Sequence, residues 1–182
     1  MSRIPMPPTI EAAPAKSQPL LQAVKARIGK VLNLQLLMAV SPATLEGYID
    51  FDAALAKGKI SIQTRDRIAL AVAGIDGCDY CSSVHTYTGK HLGKLDDVEL
   101  AANRHAKSHD PKAAVALQFA AKLVTERGNV DDGDFAAMRK AGYDDEEIIE
   151  VIAHVAINTL TNYMNNALGT EIDFPLVRAA AA

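Results

Sequence analysis

Both cysteines of the chain, Cys78 and Cys81, fall within one short stretch, GIDGCDYCSSVHTYTGKHLG, and His85 stands four residues after the second thiol. Three chemistries compete for this arrangement: a reversible dithiol, half of a metal site, or two small apolar residues in a core. Only a thiolate attacks well, and a thiol near its ordinary pKa of ~8.5 is mostly protonated at neutral pH. The local sequence offers two aids to ionisation. Gly77 ends one helical pattern, so the cysteines open the next helix, where unpaired backbone N–H groups and the helix dipole favour negative charge. Residues three and four apart share a helix face, so Cys78, Cys81 and His85 form one stripe. Such a stripe permits a disulfide to close and a proton to pass between the imidazole and a thiol or water.

Other residues bear on the choice. Cys78 and Cys81 with His105 and His109 supply the residue types of a Cys2His2 zinc site. The stretch separating Cys81 from His105 is longer than such sites use, and NRHAKSHDP reads as a polar helix end and loop. A thioredoxin-type CxxC follows a strand, and strand patterns are missing here. Asp66 lies twelve residues before Cys78 in the charged triplet RDR. On one helix at ~1.5 Å per residue it sits about 18 Å from the thiol end, so a hairpin leads it toward His85 or beyond rather than to Cys78. By itself it reads as an exposed acid. His154, within the apolar run VIAHVAI, reads as a core histidine or a pocket wall, and His91 lies off the stripe. Tyr80 and Tyr87 suit a site wall or plain packing. Asn158, Asn162, Asn165 and Asn166 give the last helical pattern a polar face suited to a subunit contact or a pocket lining.

The elements that must carry these groups are helical almost throughout from Leu20 onward. Ser41 and Pro42 form a cap and first-turn pair for a helix closing near Gly58, and Thr64 is expected to cap the next, which breaks at Gly77. Asp96, the pair Asp110 and Pro111, and Asp131 open further helices. The acids at 144–147 suit the dipole of a last helix ending at Gly169. The reading is an all-α fold with one domain over 20–182, and an order of helix, short helix and long helix recurring over 42–93 and 131–169. The first 19 residues hold five of the eight prolines. They read as an extended arm that drifts or packs on a neighbouring subunit.

Composition narrows the class. A chain of 182 residues with 49% hydrophobic and 23% charged residues has the length and balance of a globular domain with its own core. The net charge of −3, without a basic cluster on any helical face, argues against nucleic acid. Apolar runs such as 68–74 are too short to span a membrane. No apolar leader segment is evident, so a cytoplasmic address is expected, where thiols stay reduced.

Taken together, Asp66, the CDYC run at 78–81 and His85 resemble the active-site signature of the alkyl hydroperoxidase D-type proteins within the carboxymuconolactone decarboxylase family. That signature has an acid, usually Glu, twelve residues before a CxxC, and a His four after its second Cys. The resemblance covers about residues 42–95, and NTLTNYMNNALGTEIDFP is similar to the C-terminal stretch of the peroxidase-related branch. It implies an all-helical subunit in homotrimers or homohexamers that reduces hydroperoxides with its thiols. By position, Cys81 would be the peroxidatic thiol, Cys78 its proton donor and resolving partner, and His85 and Asp66 the proton relay. Asp66 is one methylene shorter than the usual Glu, and Tyr80 stands where the best-known members carry His. With no glycine fingerprint for a nucleotide, no cofactor is expected, and an external dithiol of the dihydrolipoamide or thioredoxin kind must restore the pair. The alternatives are a non-catalytic helical module whose CxxC binds zinc or docks a redox partner, and a decarboxylase-like enzyme of the same fold.

Overall fold

The computed structural model describes residues 2–179, which contain nine α-helices and no strand. In chain order these are α1 (Gln18–Ile28), α2 (Asn33–Met38), α3 (Pro42–Leu55), α4 (Ile62–Asp76) and α5 (Asp79–His91). They are followed by α6 (Asp97–Asn103), α7 (Pro111–Thr125), α8 (Asp132–Lys140) and α9 (Asp145–Leu168). The helix starts are local chemistry. Ser41, Asp96, Asp110, Asp131 and Asp144 each accept a first-turn backbone N–H, and Gly77 and Gly169 close α4 and α9 in the left-handed conformation that glycine adopts without strain. The cap of α4 is Ser61, whose Oγ accepts the N–H of Thr64, so the helix starts one turn earlier than a cap at Thr64 would give.

α4 is the axis of the fold. It packs against α5, α6, α7 and α9, and every residue from Ile68 to Gly74 is buried, which explains why this run lacks a polar face. Close packing requires Gly74: a Cβ there would lie 1.9 Å from the Arg104 carbonyl oxygen, beyond the C-terminal end of α6. One apolar cluster joins α4, α7, α8 and α9 through Ile68, Val72, Leu117, Phe119, Met138 and Val151. A second joins α1, α2, α3 and the start of α5 through Leu21, Leu36, Met38, Leu45, Cys78 and Cys81. Fully burying each large side chain contributes on the order of 1.5–3 kcal/mol. The cysteines thus sit in the second cluster, where it meets α9.

Two expectations are corrected. The helix order does not recur: 42–93 holds three helices of 14, 15 and 13 residues, whereas 131–169 holds one of 9 and one of 24. The N-terminal segment is irregular through Ser17, and it packs on its own chain rather than drifting. Arg3 donates through Nη1 to the carbonyls of Asn166 and Ala167 at the end of α9, Ala13 is buried, and the Ser17 hydroxyl donates to the Ala39 carbonyl at 2.7 Å. Prolines deny this segment a helix without denying it packing. The other end of the chain straps across α5: the Val177 N–H donates to Ser83 Oγ at 2.9 Å and the Ala179 N–H to Asp79 at 2.8 Å.

Candidate active site

Cys78 is the N-cap of α5. Its Sγ accepts the Cys81 N–H at 3.1 Å, as a serine or aspartate oxygen would. Both thiols are free and buried, and they lie within hydrogen-bonding contact of one another. Their surroundings divide the charge unequally. The Cys81 S–H and then the Cys81 backbone N–H favour an anionic Cys78, overcome its burial, and lower its pKa from the usual 9.0. Burial first, and the anion on Cys78 second, push the Cys81 thiol well up. Of the two thiols, Cys78 is therefore the one whose surroundings favour the anion, whereas the resemblance makes Cys81 the attacking thiol.

Only Cys81 of the two lines a cavity, of about 360 Å³. The Asn165 side-chain N–H donates to its Sγ at 3.3 Å, and the Thr161 hydroxyl also favours the charged form of this sulfur. One turn along α5, His85 lines the same cavity and its Nδ1 is 3.0 Å from Asp66 Oδ1. Thr88 donates to that same oxygen at 2.7 Å, so the carboxylate is held while it orients the ring. Asp66 is buried, and no side chain or backbone group bonds its Oδ2. The antiparallel run of α4 and α5 brings Asp66 to His85 and not to Cys78, as the helix rise requires. The shorter Asp reaches the imidazole directly.

The remaining candidates sort themselves by contact. Tyr80 walls the cavity and donates its hydroxyl to Asp173 Oδ2, while the exposed Tyr87 stacks on Phe174. Asn158 and Asn165 line the cavity, whereas Asn162 and Asn166 bond Asp76 and fix the end of α4. His154 is buried, as a core histidine would be, yet it faces the cavity. The zinc set does not assemble: His109 lies against Glu99 through its Nδ1 at 3.1 Å, and no group of three or more His, Cys, Asp or Glu among the described residues stands close enough to hold a metal. Glu99 also accepts from Arg67, Asn103, Ser108 and the His109 N–H. Despite the opposing effect of burial, those donors hold its pKa down at about 2. No described helix is long and apolar enough to cross a membrane.

Sequence reasoning missed Thr161, Arg65 and Tyr48 as cavity residues, and it left Asn165 between a subunit contact and a pocket lining. The signal for Thr161 was present. His154, Asn158, Thr161 and Asn165 recur at steps of four, three and four, which draws one polar stripe down an otherwise apolar helix.

A helical subunit whose central helix presents an acid to a CxxC–His stripe defines the class. Residues 42–122, from the start of α3 through most of α7, match the carboxymuconolactone decarboxylase family, and the fold has an alkyl hydroperoxidase D-like architecture. An uncharacterised peroxidase-related protein with an alkylhydroperoxidase AhpD core, from Ralstonia eutropha JMP134, superposes with a TM-score of 0.84 at 25% identity, over 94% of this chain and 92% of that one. An uncharacterised peroxidase-related protein from Silicibacter sp. TM1040 gives 0.76 at 23% identity, over 87% and 85%. The debrominase Bmp8 gives 0.73 at 22% identity, over 94% and 92%, so the same fold also carries a debrominase. No curated protein matches the chain significantly in sequence.

Proposed function

We propose that the protein is a thiol-dependent hydroperoxide reductase in which Cys81 is oxidised and Cys78 resolves it. One observation carries this reading: Cys81 opens onto a cavity shared with the His85–Asp66 pair, while Cys78 lies in contact behind it, shielded from the cavity. Cys81 passes its proton to the Cys78 thiolate as its own sulfur attacks the terminal peroxide oxygen. The S–O bond forms, the O–O bond breaks, and the alkoxide takes a proton from His85 to leave as an alcohol. Asn165 and Thr161 stabilise the Cys81 sulfur while it carries charge, and Asp66 keeps the imidazole aimed.

Cys78 then attacks the Cys81 sulfenic acid. The S–S bond forms, the S–O bond breaks, and hydroxide leaves with the Cys78 proton as water. Two thiols and one hydroperoxide become one disulfide, one alcohol and one water. An external dithiol, dihydrolipoamide-like or carried on a thioredoxin-like protein, restores the pair by exchange. The resemblance to the family implies a homotrimer or homohexamer. An exposed apolar stripe on α9, Ile149, Ile152, Leu160 and Tyr163, suits a subunit contact.

The test is a thiol titration before and after one equivalent of cumene hydroperoxide. Two thiols per chain are expected to disappear, and Cys81→Ser is expected to abolish peroxide consumption. Turnover that persists in Cys81→Ser refutes the reading.

A further inference from the structure

The cavity has a second end that this chemistry leaves unused. From Asn165, in contact with Cys81, the stripe on α9 runs through Thr161 and Asn158 to His154, roughly 16 Å along the helix axis at 1.5 Å per residue. There, Arg65 from the first turns of α4 joins His154 in the cavity wall. Among the described residues Arg65 has no ion-pair partner, and its Nε is buried without a hydrogen bond. His154 is 5% exposed, and its Nε2 is likewise buried and unpartnered.

The acids nearby are committed elsewhere. Asp52 pairs with Arg27 at 2.9 Å, Glu150 accepts the backbone N–H groups of Lys59 and Ile60, and Asp66 holds His85. Burial and the Arg65 charge lower the His154 pKa to about 4, which leaves a neutral ring beside an uncompensated guanidinium. A half-buried cation whose Nε lies desolvated and unbonded is costly, and a ligand that supplies the counter-charge offsets that cost. Leu34, Leu55, Ile157 and Val84 add apolar lining to the same cavity.

We infer that Arg65 and His154 form a carboxylate-binding subsite at the far end of this cavity, so that the protein takes substrates with a carboxylate on an apolar chain whose other end reaches Cys81. The guanidinium supplies the charge and one or two N–H donors, and His154 Nε2 a further donor in its Nε2–H tautomer. A volume of 360 Å³ admits about twelve non-hydrogen groups at ~30 Å³ each, the size of a ten-carbon acid. Arg65 lies inside the family-matched segment, but all of α9, His154 included, lies outside it, so the subsite is not a property of that segment alone.

The assignment of the acid to the hydroperoxide or to the dithiol rests on the proposed redox function; the binding itself does not. The probe is therefore unreactive: decanoate against decanamide, by calorimetry on the reduced protein. The intact protein is expected to bind decanoate at least tenfold more tightly than decanamide. Arg65→Gln should erase that preference, Arg65→Lys should restore part of it, and His154→Leu should weaken decanoate several-fold. Arg65→Gln should be at least as heat-stable as the intact chain, because it removes an unpaired charge whose Nε is buried without a hydrogen bond. Equal binding of acid and amide, or a fall in the thermal midpoint of Arg65→Gln, overturns the inference.

Two kinetic arms locate the carboxylate: a hydroperoxide acid against its methyl ester, and dihydrolipoate against dihydrolipoamide as reductant. A tenfold KM advantage for the acid in either pair, lost in Arg65→Gln, assigns it to that substrate, and its absence in both pairs overturns the substrate claim. A protein that binds decanoate through Arg65 but reduces no hydroperoxide supports the subsite and refutes the reductase. One that reduces cumene hydroperoxide but does not distinguish acid from amide does the reverse.

Discussion

Replacing Cys78 with serine separates the chemical role of this residue from its structural one. Cys78 Sγ caps α5 by accepting the Cys81 N–H at 3.1 Å, and serine is among the preferred residues for that position. Stability is therefore expected to stay within about 1 kcal/mol of the parent. Chemistry should not survive so well. A serine hydroxyl does not ionise near neutral pH, so Cys81 loses the group that takes its proton and keeps a pKa raised above 9.0 by burial. A pKa of 9 or more leaves at most about 1% thiolate at pH 7, so the first oxidation is expected to slow at least about tenfold, about 1.4 kcal/mol of barrier.

The assay is a single turnover with one equivalent of cumene hydroperoxide, following free thiols and trapping sulfenic acid. The parent should lose two thiols quickly with no trapped intermediate, whereas Cys78→Ser should lose one slowly and accumulate the sulfenic acid. The pH profile carries the sign. In the parent the rate rises as Cys78 sheds its proton, with its half-rise below 9.0; in Cys78→Ser the rise moves above 9.0. A folded Cys78→Ser protein oxidised at the parental rate would refute the claim that Cys78 is the base for Cys81.

Three other outcomes follow from the coordinates. Asn165→Leu removes the N–H donor to Cys81 and should lower the single-turnover rate about tenfold while leaving both thiols titratable; an unchanged rate would remove Asn165 from the mechanism. Gly74→Ala would press a methyl group to 1.9 Å from the Arg104 carbonyl oxygen, and should cost more than about 3 kcal/mol, or about 6–12 °C in thermal midpoint; an unshifted midpoint contradicts the packing of α4. Glu99, with a folded pKa of about 2 against an ordinary 4.5, stabilises the fold fully above pH 4.5. That contribution, on the order of 3 kcal/mol, is lost as pH falls from about 4.5 toward 2, so denaturant midpoints should drop across this window and Glu99→Gln should flatten the drop.

The legible part of the site was the part encoded within one helix. Gly77, Cys78, Cys81 and His85 are neighbours along the chain, so helix geometry alone puts them on one face at one helix start. Asp66 was half legible: the helix rise predicts that it passes the thiols and reaches His85, but whether its carboxylate turns inward depends on α5 lying against that face of α4. The cap at Ser61 was missed because Ser61 and Thr64 are both good caps, and the bond from the Thr64 N–H to Ser61 decides between them.

By itself the sequence determined most of the helices, their caps other than Ser61, and the thiol–imidazole stripe, because hydrogen bonds and side-chain spacing within a few residues fix these. Tertiary structure alone decided which thiol faces the cavity, which one's surroundings favour the anion, and what stands at the cavity's other end. Those properties come from desolvation and from contacts made by α9, more than seventy residues further along the chain. A local pattern cannot report the dielectric or the partners that a distant helix supplies.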